Sequence, residues 1–195
     1  MAAVETDTER ASEALLALLV FAAKRDVRIT RTKAVKLLYL ADLRTIADTG
    51  FAASGIAWRW WHYGPYSQAL RPIEDTLVAI GVVDRQTVRR SAYEEESVLT
   101  VRDDIQEGLS ALTYSADPFV TNIDTVLAEL GQMNATQLTA FAYKTAPMVD
   151  ATENGNKREL LDLGEHPDAD PDADIAAGRV TYYGDSESFL ASLEA

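Results

Sequence analysis

The sequence predicts a mainly helical α+β domain, with helices packed around a small antiparallel sheet that contains one hairpin. Apolar residues recur at helical spacing in several separate runs, the first being Leu15, Leu18, Leu19 and Ala22. One short stretch, Ile56 to Trp61, alternates instead with a period of two, which sets Ile56, Trp58 and Trp60 on one face of a strand and Ala57, Arg59 and Trp61 on the other. Val82, Val83, Thr87 and Val88 form a second β-prone run and Val98 to Val101 a third, joined by polar residues from Arg89 to Ser97 as a hairpin connection.

In chain order, Asp7 is placed to cap a first helix that runs to Lys24, because its carboxylate can accept the free amides of the first turn. Thr30 or Thr32 caps a second helix ending near Gly50, in which Val35, Leu38, Tyr39 and Asp42 or Ile46 recur at helical spacing. Leu37 and Leu40 widen its apolar face, so this helix is expected in the middle of the domain. The aromatic strand follows, with Gly64-Pro65 as a tight turn that ends it and Ser67 as the cap of a helix reaching about Ile80. Gly81 suits the left-handed position that closes such a helix. After the hairpin, helices are expected over Asp103 to Leu112, Pro118 to Leu130 and Thr136 to Thr145, the last capped by Asn134. Pro147, Asn154 and Gly155 mark a loop, and Lys157 to Leu163 fits one more short helix.

At 195 residues and 47% hydrophobic, the chain can bury one core, so one domain is expected over residues 1–163 with an acidic linker and tail over 164–195. His166 to Asp174 is too poor in apolar residues to offset the entropy of ordering, whereas Val180 to Tyr183 and Ser186 to Leu193 allow a short strand and a helical turn. The most apolar run, Ala14 to Ala23, is too short to span a bilayer and precedes no cleavage signal, which fits a soluble, cytoplasmic protein. The absence of cysteine excludes disulfides, thiolate metal sites and cysteine nucleophiles.

The net charge is −13, from 31 acids against 18 bases of which only five are lysine, a balance resembling that of proteins from a salty cytoplasm. Such a surface repels nucleic acid over long range until salt screens it. Residues 165–195 carry eight acids and one arginine, so about half of this charge belongs to the tail.

Candidate chemistry concentrates in Ile56 to Tyr66, which holds all three tryptophans, His62, Tyr63 and Tyr66. Aromatic side chains supply most of the energy at protein interfaces, so Trp61, Tyr63 and Tyr66 are candidates for a partner-binding patch. Trp58 and Trp60 are assigned to the core, and Trp61 is left open between surface and a two-sided sheet. His62 has only His166 as a possible companion and no carboxylate pair beside it, so it is expected to be structural; no metal, cofactor or catalysis is expected. Asp168, Asp170, Asp172 and Asp174 alternate as calcium ligands do, but without the glycine and glutamate of a calcium loop they are expected to be a solvated linker.

Lys36-Leu37-Leu38-Tyr39-Leu40-Ala41-Asp42, followed by Trp58 to Pro65 with its Tyr63-Gly64-Pro65, resembles the Panacea domain of SocA-like antitoxins, in which a KLLYYA-type helix precedes an aromatic strand, a YGP turn and a further helix. The resemblance runs from about Ala14 to Met148 and includes Leu138 to Lys144 and Pro147, with Tyr143 and Met148 where the family tends to have histidine and tryptophan. It implies that residues 1–163 are a Panacea-like domain that binds a cognate toxin protein and neutralises it, directly or by delivery to an energy-dependent protease. Carried onto this chain, the implied partner-binding set is Tyr39, Trp61, His62, Tyr63, Gly64, Pro65 and Tyr66.

The order of elements also fits a winged-helix DNA-binding regulator, with Arg85, Arg89 and Arg90 on the hairpin as phosphate contacts. Glu94, Glu95 and Glu96 stand at the tip where a wing would touch DNA, and they can instead pair with those arginines. Nucleic acid is therefore the second expectation, and no membrane partner is expected.

Overall fold

The computed structural model describes residues 5–89, 95–103, 105, 117–155 and 157–164. The expected helix from Asp103 to Leu112 falls almost wholly outside them, as do Arg90, Glu94 and the tail. The described chain runs α1 (Thr8–Lys24), β1 (Ile29–Thr30), α2 (Arg31–Thr49), β2 (Arg59–Trp61), β3 (Gly64–Tyr66), α3 (Leu70–Ala79), β4 (Val83–Arg89), β5 (Glu95–Val101), α4 (Pro118–Leu130), α5 (Ala135–Ala142) and α6 (Ala146–Glu153). This is the expected mainly helical α+β class.

Capping chemistry sets most helix starts. Asp7 accepts the amides of Glu9 and Arg10, and Thr30, rather than Thr32, accepts that of Lys33. At α5, Asn134 and Gln137 each accept the other's backbone N–H, a reciprocal capping box. Gly50 closes α2 at φ 82°, a left-handed position where any other side chain would be strained.

Helix α2 is the centre of the domain. Every residue from Lys33 to Leu43 is buried, with α1, α4 and α5 packed around it. Fully burying each of its leucines contributes about 2 kcal/mol, so this one helix gathers a large share of the apolar stabilisation. A helix apolar on every side can sit only in an interior.

The sheet differs from the expectation. The hairpin β4-β5 forms, from Val83 opposite Val101 to Arg89 opposite Glu95, and its strands take in Arg89 and Glu95 to Ser97 of the expected connection. Its third strand, however, is β1, paired as Ile29 with Leu99 and Thr30 with Val98. The aromatic segment stays apart and forms its own two-stranded ladder, β2-β3. Only Arg59–Trp61 is strand there, because the amides of Ile56 and Ala57 are taken by the side chains of Ser54 and Thr6, at 3.1 and 3.0 Å. One neighbouring and one distant side-chain acceptor displaced the ladder that the alternation predicts.

Three further boundaries move. Ser67 is not a cap: α3 begins at Leu70 without a side-chain cap, and the buried Ser67 hydroxyl lies 3.3 Å from that of Thr6. Pro147 sits in the first turn of α6, a position that needs no amide hydrogen, so the expected loop is a helix until Asn154. Lys157 to Leu163 is not helical; it lies along the outer edge of β2, where Leu160 bridges Arg59.

Candidate functional site

The aromatic segment is held by three side chains of α2 that share one stripe, Lys36, Tyr39 and Asp42. Asp42 is fully buried and meets four donors. Its Oδ1 accepts the backbone N–H of Ala53 and Ser54 at 3.1 and 2.9 Å, and its Oδ2 accepts the indole N–H of Trp58 at 2.7 Å and the Ser54 hydroxyl. Burial pushes the Asp42 carboxyl above its ordinary pKa, while the donors from Ser54, Trp58 and Ala53 pull the other way. One turn back, the ring of Tyr39 meets Trp58 edge-on at 5.6 Å, and its hydroxyl shares a 2.8 Å hydrogen bond with Thr145 at the start of α6. Burial raises the phenol's pKa well above its ordinary value, so it stays neutral.

Lys36 completes the stripe. Its buried Nζ donates to the Pro65 carbonyl at 2.7 Å, tying the centre of β3 to the middle of the domain. Proline has no N–H to give a ladder, and here its one polar backbone group is used by a lysine. The turn of the ladder falls at His62 and Tyr63, two residues earlier than expected, and Gly64-Pro65-Tyr66 forms the return strand. Gly64 takes φ 89°, a left-handed conformation that favours glycine, and it packs closely against Tyr143 and Lys36, which a Cβ would meet at 3.4 and 3.5 Å, ordinary contact distances.

Of the residues singled out from the sequence, the hairpin brings Trp61, His62, Tyr63 and Tyr66 to one surface. Tyr63 is 77% exposed, a large value for an aromatic, and His62 is exposed beside it. Trp61 is half-buried, with Tyr66 tilted against it at 6.3 Å and His62 edge-on at 5.5 Å. Trp58 is core as expected, but Trp60 is only partly buried, with its indole N–H 3.4 Å from the Tyr143 hydroxyl. Tyr39 is wholly buried and Gly64 and Pro65 are buried, so these three shape the surface from behind without lying on it. His62 has no cluster around it: among the described residues no group of three histidines and acids could hold a metal ion.

Of the hairpin arginines, Arg85 and Arg89 lie elsewhere and are engaged. Glu74 of α3, 2% exposed in its side chain, receives Arg31 through two hydrogen bonds of 2.6 and 2.5 Å and Arg85 at 2.9 Å. Burial alone would raise the Glu74 carboxyl, but Arg31 and Arg85 outweigh it and hold the pKa below the ordinary value. Arg85 also meets Asp75. Arg89 pairs across the strands with Glu95 at 3.1 Å, as the sequence suggested, whereas Glu96 pairs with Arg28 from the loop before β1 at 2.9 Å.

Sequence reasoning did not find Thr145, Tyr143 as a packing partner of the turn, or the pair Lys157 and Arg158. Lys36 carried a signal that was available: a charged residue inside a run of leucines on a central helix must find a buried acceptor.

The family model for the antitoxin SocA-like Panacea domain matches residues 35–147, more than half of the chain. The chain belongs to this family. The match spans the whole stripe of α2, the hairpin it holds and the start of α6. No curated protein matches the chain. Among the described residues, no helix is long and apolar enough to cross a membrane.

Burial lowers the Lys36 ammonium to a pKa of about 8 from the ordinary 10.5. Between these two values the unfolded chain holds a proton that the folded chain has released, so raising the pH through that window stabilises the fold; below it both forms are charged and the cost of burying the ammonium stands in full. Unfolding free energy should therefore rise between about pH 8 and 10, by on the order of 1–3 kcal/mol. Urea titrations across that range should show the rise in wild type and not in Lys36→Met; parallel curves would remove Lys36 as its source.

Proposed function

We propose that the chain is an antitoxin-like protein-binding module that captures a cognate toxin through the hairpin surface of Trp61, His62, Tyr63 and Tyr66, and neutralises it by covering it or by delivering it to an energy-dependent protease. Membership of the SocA-like family supports the class of function. The single observation that carries the choice of surface is a 77% exposed tyrosine beside half-buried aromatics. A soluble domain gains nothing by presenting such a ring to water, whereas an interface uses it as an anchor. The backbone beneath is held by the Lys36 hydrogen bond to Pro65 and by the Asp42 cluster, so less entropy remains to be lost when a partner docks. No catalytic step is assigned to the surface, and the reading needs no cofactor.

Trp61→Ala with Tyr66→Ala should abolish capture of the protein encoded in the adjacent reading frame when the two are co-expressed, with the far-ultraviolet circular dichroism unchanged. Capture at wild-type strength by the double variant would move the binding surface elsewhere.

One observation favours a second reading. The order α1-β1-α2-α3-β4-β5, with strands arranged β1-β5-β4, is that of a winged helix carrying the aromatic ladder as an insertion between its second and third helices. Against DNA binding, Arg85 is committed to Glu74 and Asp75 and Arg89 to Glu95, and α3 carries acids where a reading helix needs bases. Gel shifts with the chain's own upstream duplex, titrated over salt, should show nothing tighter than micromolar, non-specific binding. A nanomolar, sequence-dependent complex weakened by charge reversal at Arg85, Arg89 and Arg90 would establish the regulator instead.

A further inference from the structure

Bases are scarce in this chain, and most arginines of the described residues are spent on carboxylates: Arg25, Arg28, Arg31, Arg44, Arg85 and Arg89 each form an ion pair. Two bases beside the aromatic ladder are used differently. Lys157 and Arg158 are exposed, and among the described residues neither forms an ion pair, not even with the neighbouring Glu159. Each is stacked on a tryptophan instead, the Arg158 guanidinium 5.0 Å from the centre of Trp61 and the Lys157 ammonium 5.3 Å from that of Trp60.

The backbone holds them there at a cost. Arg158 has φ 70°, a left-handed conformation that a residue with a Cβ rarely takes. Its N–H donates to the Trp60 carbonyl at 2.8 Å, and Leu161 repeats the contact to Trp58 at 2.9 Å, so the segment is pinned along the edge of β2. A strained, non-glycine residue that aims a cation at an exposed aromatic surface is a mark of function more than of stability. A guanidinium held over an indole by cation–π attraction still has N–H donors to offer, and such a fork receives a carboxylate through two parallel hydrogen bonds. The contact keeps the cation beside the aromatic surface.

We propose that the partner segment bound at this hairpin is an acidic stretch of polypeptide, whose Asp or Glu carboxylates are received by Arg158 and Lys157 while a neighbouring apolar side chain packs against Tyr63 and Trp61. The proposal rests on the hairpin reading above and specifies the chemistry of its partner. Charge decides between polypeptide and nucleic acid: a chain of net charge −13 repels an extended polyanion over long range, whereas a few carboxylates on a folded partner meet the two local cations at short range.

The test is a selection of random peptides displayed on phage against the full immobilised chain, followed by titration of the enriched peptides as free, labelled synthetic copies. Wild type should enrich peptides rich in Asp and Glu that also carry an apolar residue. Their affinity should fall at least about tenfold with Lys157→Gln plus Arg158→Gln and stay unchanged with Arg71→Gln, a control at an exposed arginine of α3. Arg158→Gly, which suits the left-handed backbone, should lose affinity without losing thermal stability, so that a loss through misfolding is told apart from a loss of the cation. Peptides with no acidic bias that still depend on Trp61 and Tyr63 would overturn the acidic partner and leave the hairpin reading standing. Peptides indifferent to both sets, or no enrichment, would overturn both. Displacement of an acidic peptide by an equal concentration of single-stranded oligonucleotide would assign the site to nucleic acid and overturn the proposal.

Discussion

Everything at the candidate surface depends on one buried carboxyl. Asp42 lies in the most deeply buried helix of the domain, and burying it would be prohibitive if its oxygens went unpaired. The chain answers by folding residues 53–58 back over α2, so that two backbone amides, a serine and an indole converge on the carboxyl. Trp58 is thereby fixed at the foot of the aromatic ladder. Tyr39 and Lys36 repeat the arrangement toward the turn, with Thr145 and the Pro65 carbonyl as their partners. A helix with a purely apolar surface would bury as much area but would leave this segment free to slide, since hydrophobic contact has no direction. The polar stripe supplies register.

That stripe also explains why the family's helical motif and its aromatic motif occur together. Lys36, Tyr39 and Asp42 stand three residues apart, on one line of α2, and each reaches a different part of the chain: the return strand, the α5–α6 junction and the segment before the ladder. The exposed aromatics follow from what lies beneath them. Tyr63 is at the turn because the chain reverses there into Gly64, whose φ of 89° a residue with a Cβ rarely adopts.

The long periodic elements were legible in the sequence because their signals are local. Asp7, Thr30 and Asn134 cap helices through hydrogen bonds within three residues, and the burial of α2 follows from apolar residues on every side. The misread parts were settled by distant contacts. Ile56 to Trp58 alternates like a strand, yet Thr6 and Ser54 take its amides, and nothing within Ile56 to Trp61 reveals Thr6. Two-residue β1 has too few residues to carry a pattern, and it is a strand only because β5 offers it a partner. Pro147 was taken as a breaker when its missing amide suits a first helical turn equally well. At the surface, the aromatic cluster could be found from density alone, whereas the approach of Arg158 to Trp61 depends on a left-handed backbone that no sequence rule assigns to arginine.

The central claim is that the Asp42 cluster holds the candidate surface in place while the helical core stands without it. Residue-resolved hydrogen exchange on Asp42→Asn tests this, because the amide keeps the size of the carboxyl but turns an N–H toward either the Trp58 indole or the backbone amides of Ala53 and Ser54, which can only donate, at a cost of about 1–3 kcal/mol. Exchange should accelerate selectively at Ala53, Ser54 and through Trp58 to Tyr66, while the amides of α4 remain protected and toxin capture falls with Trp61 and Tyr63 intact. Uniform acceleration over the whole domain, or an undisturbed hairpin, would contradict the account.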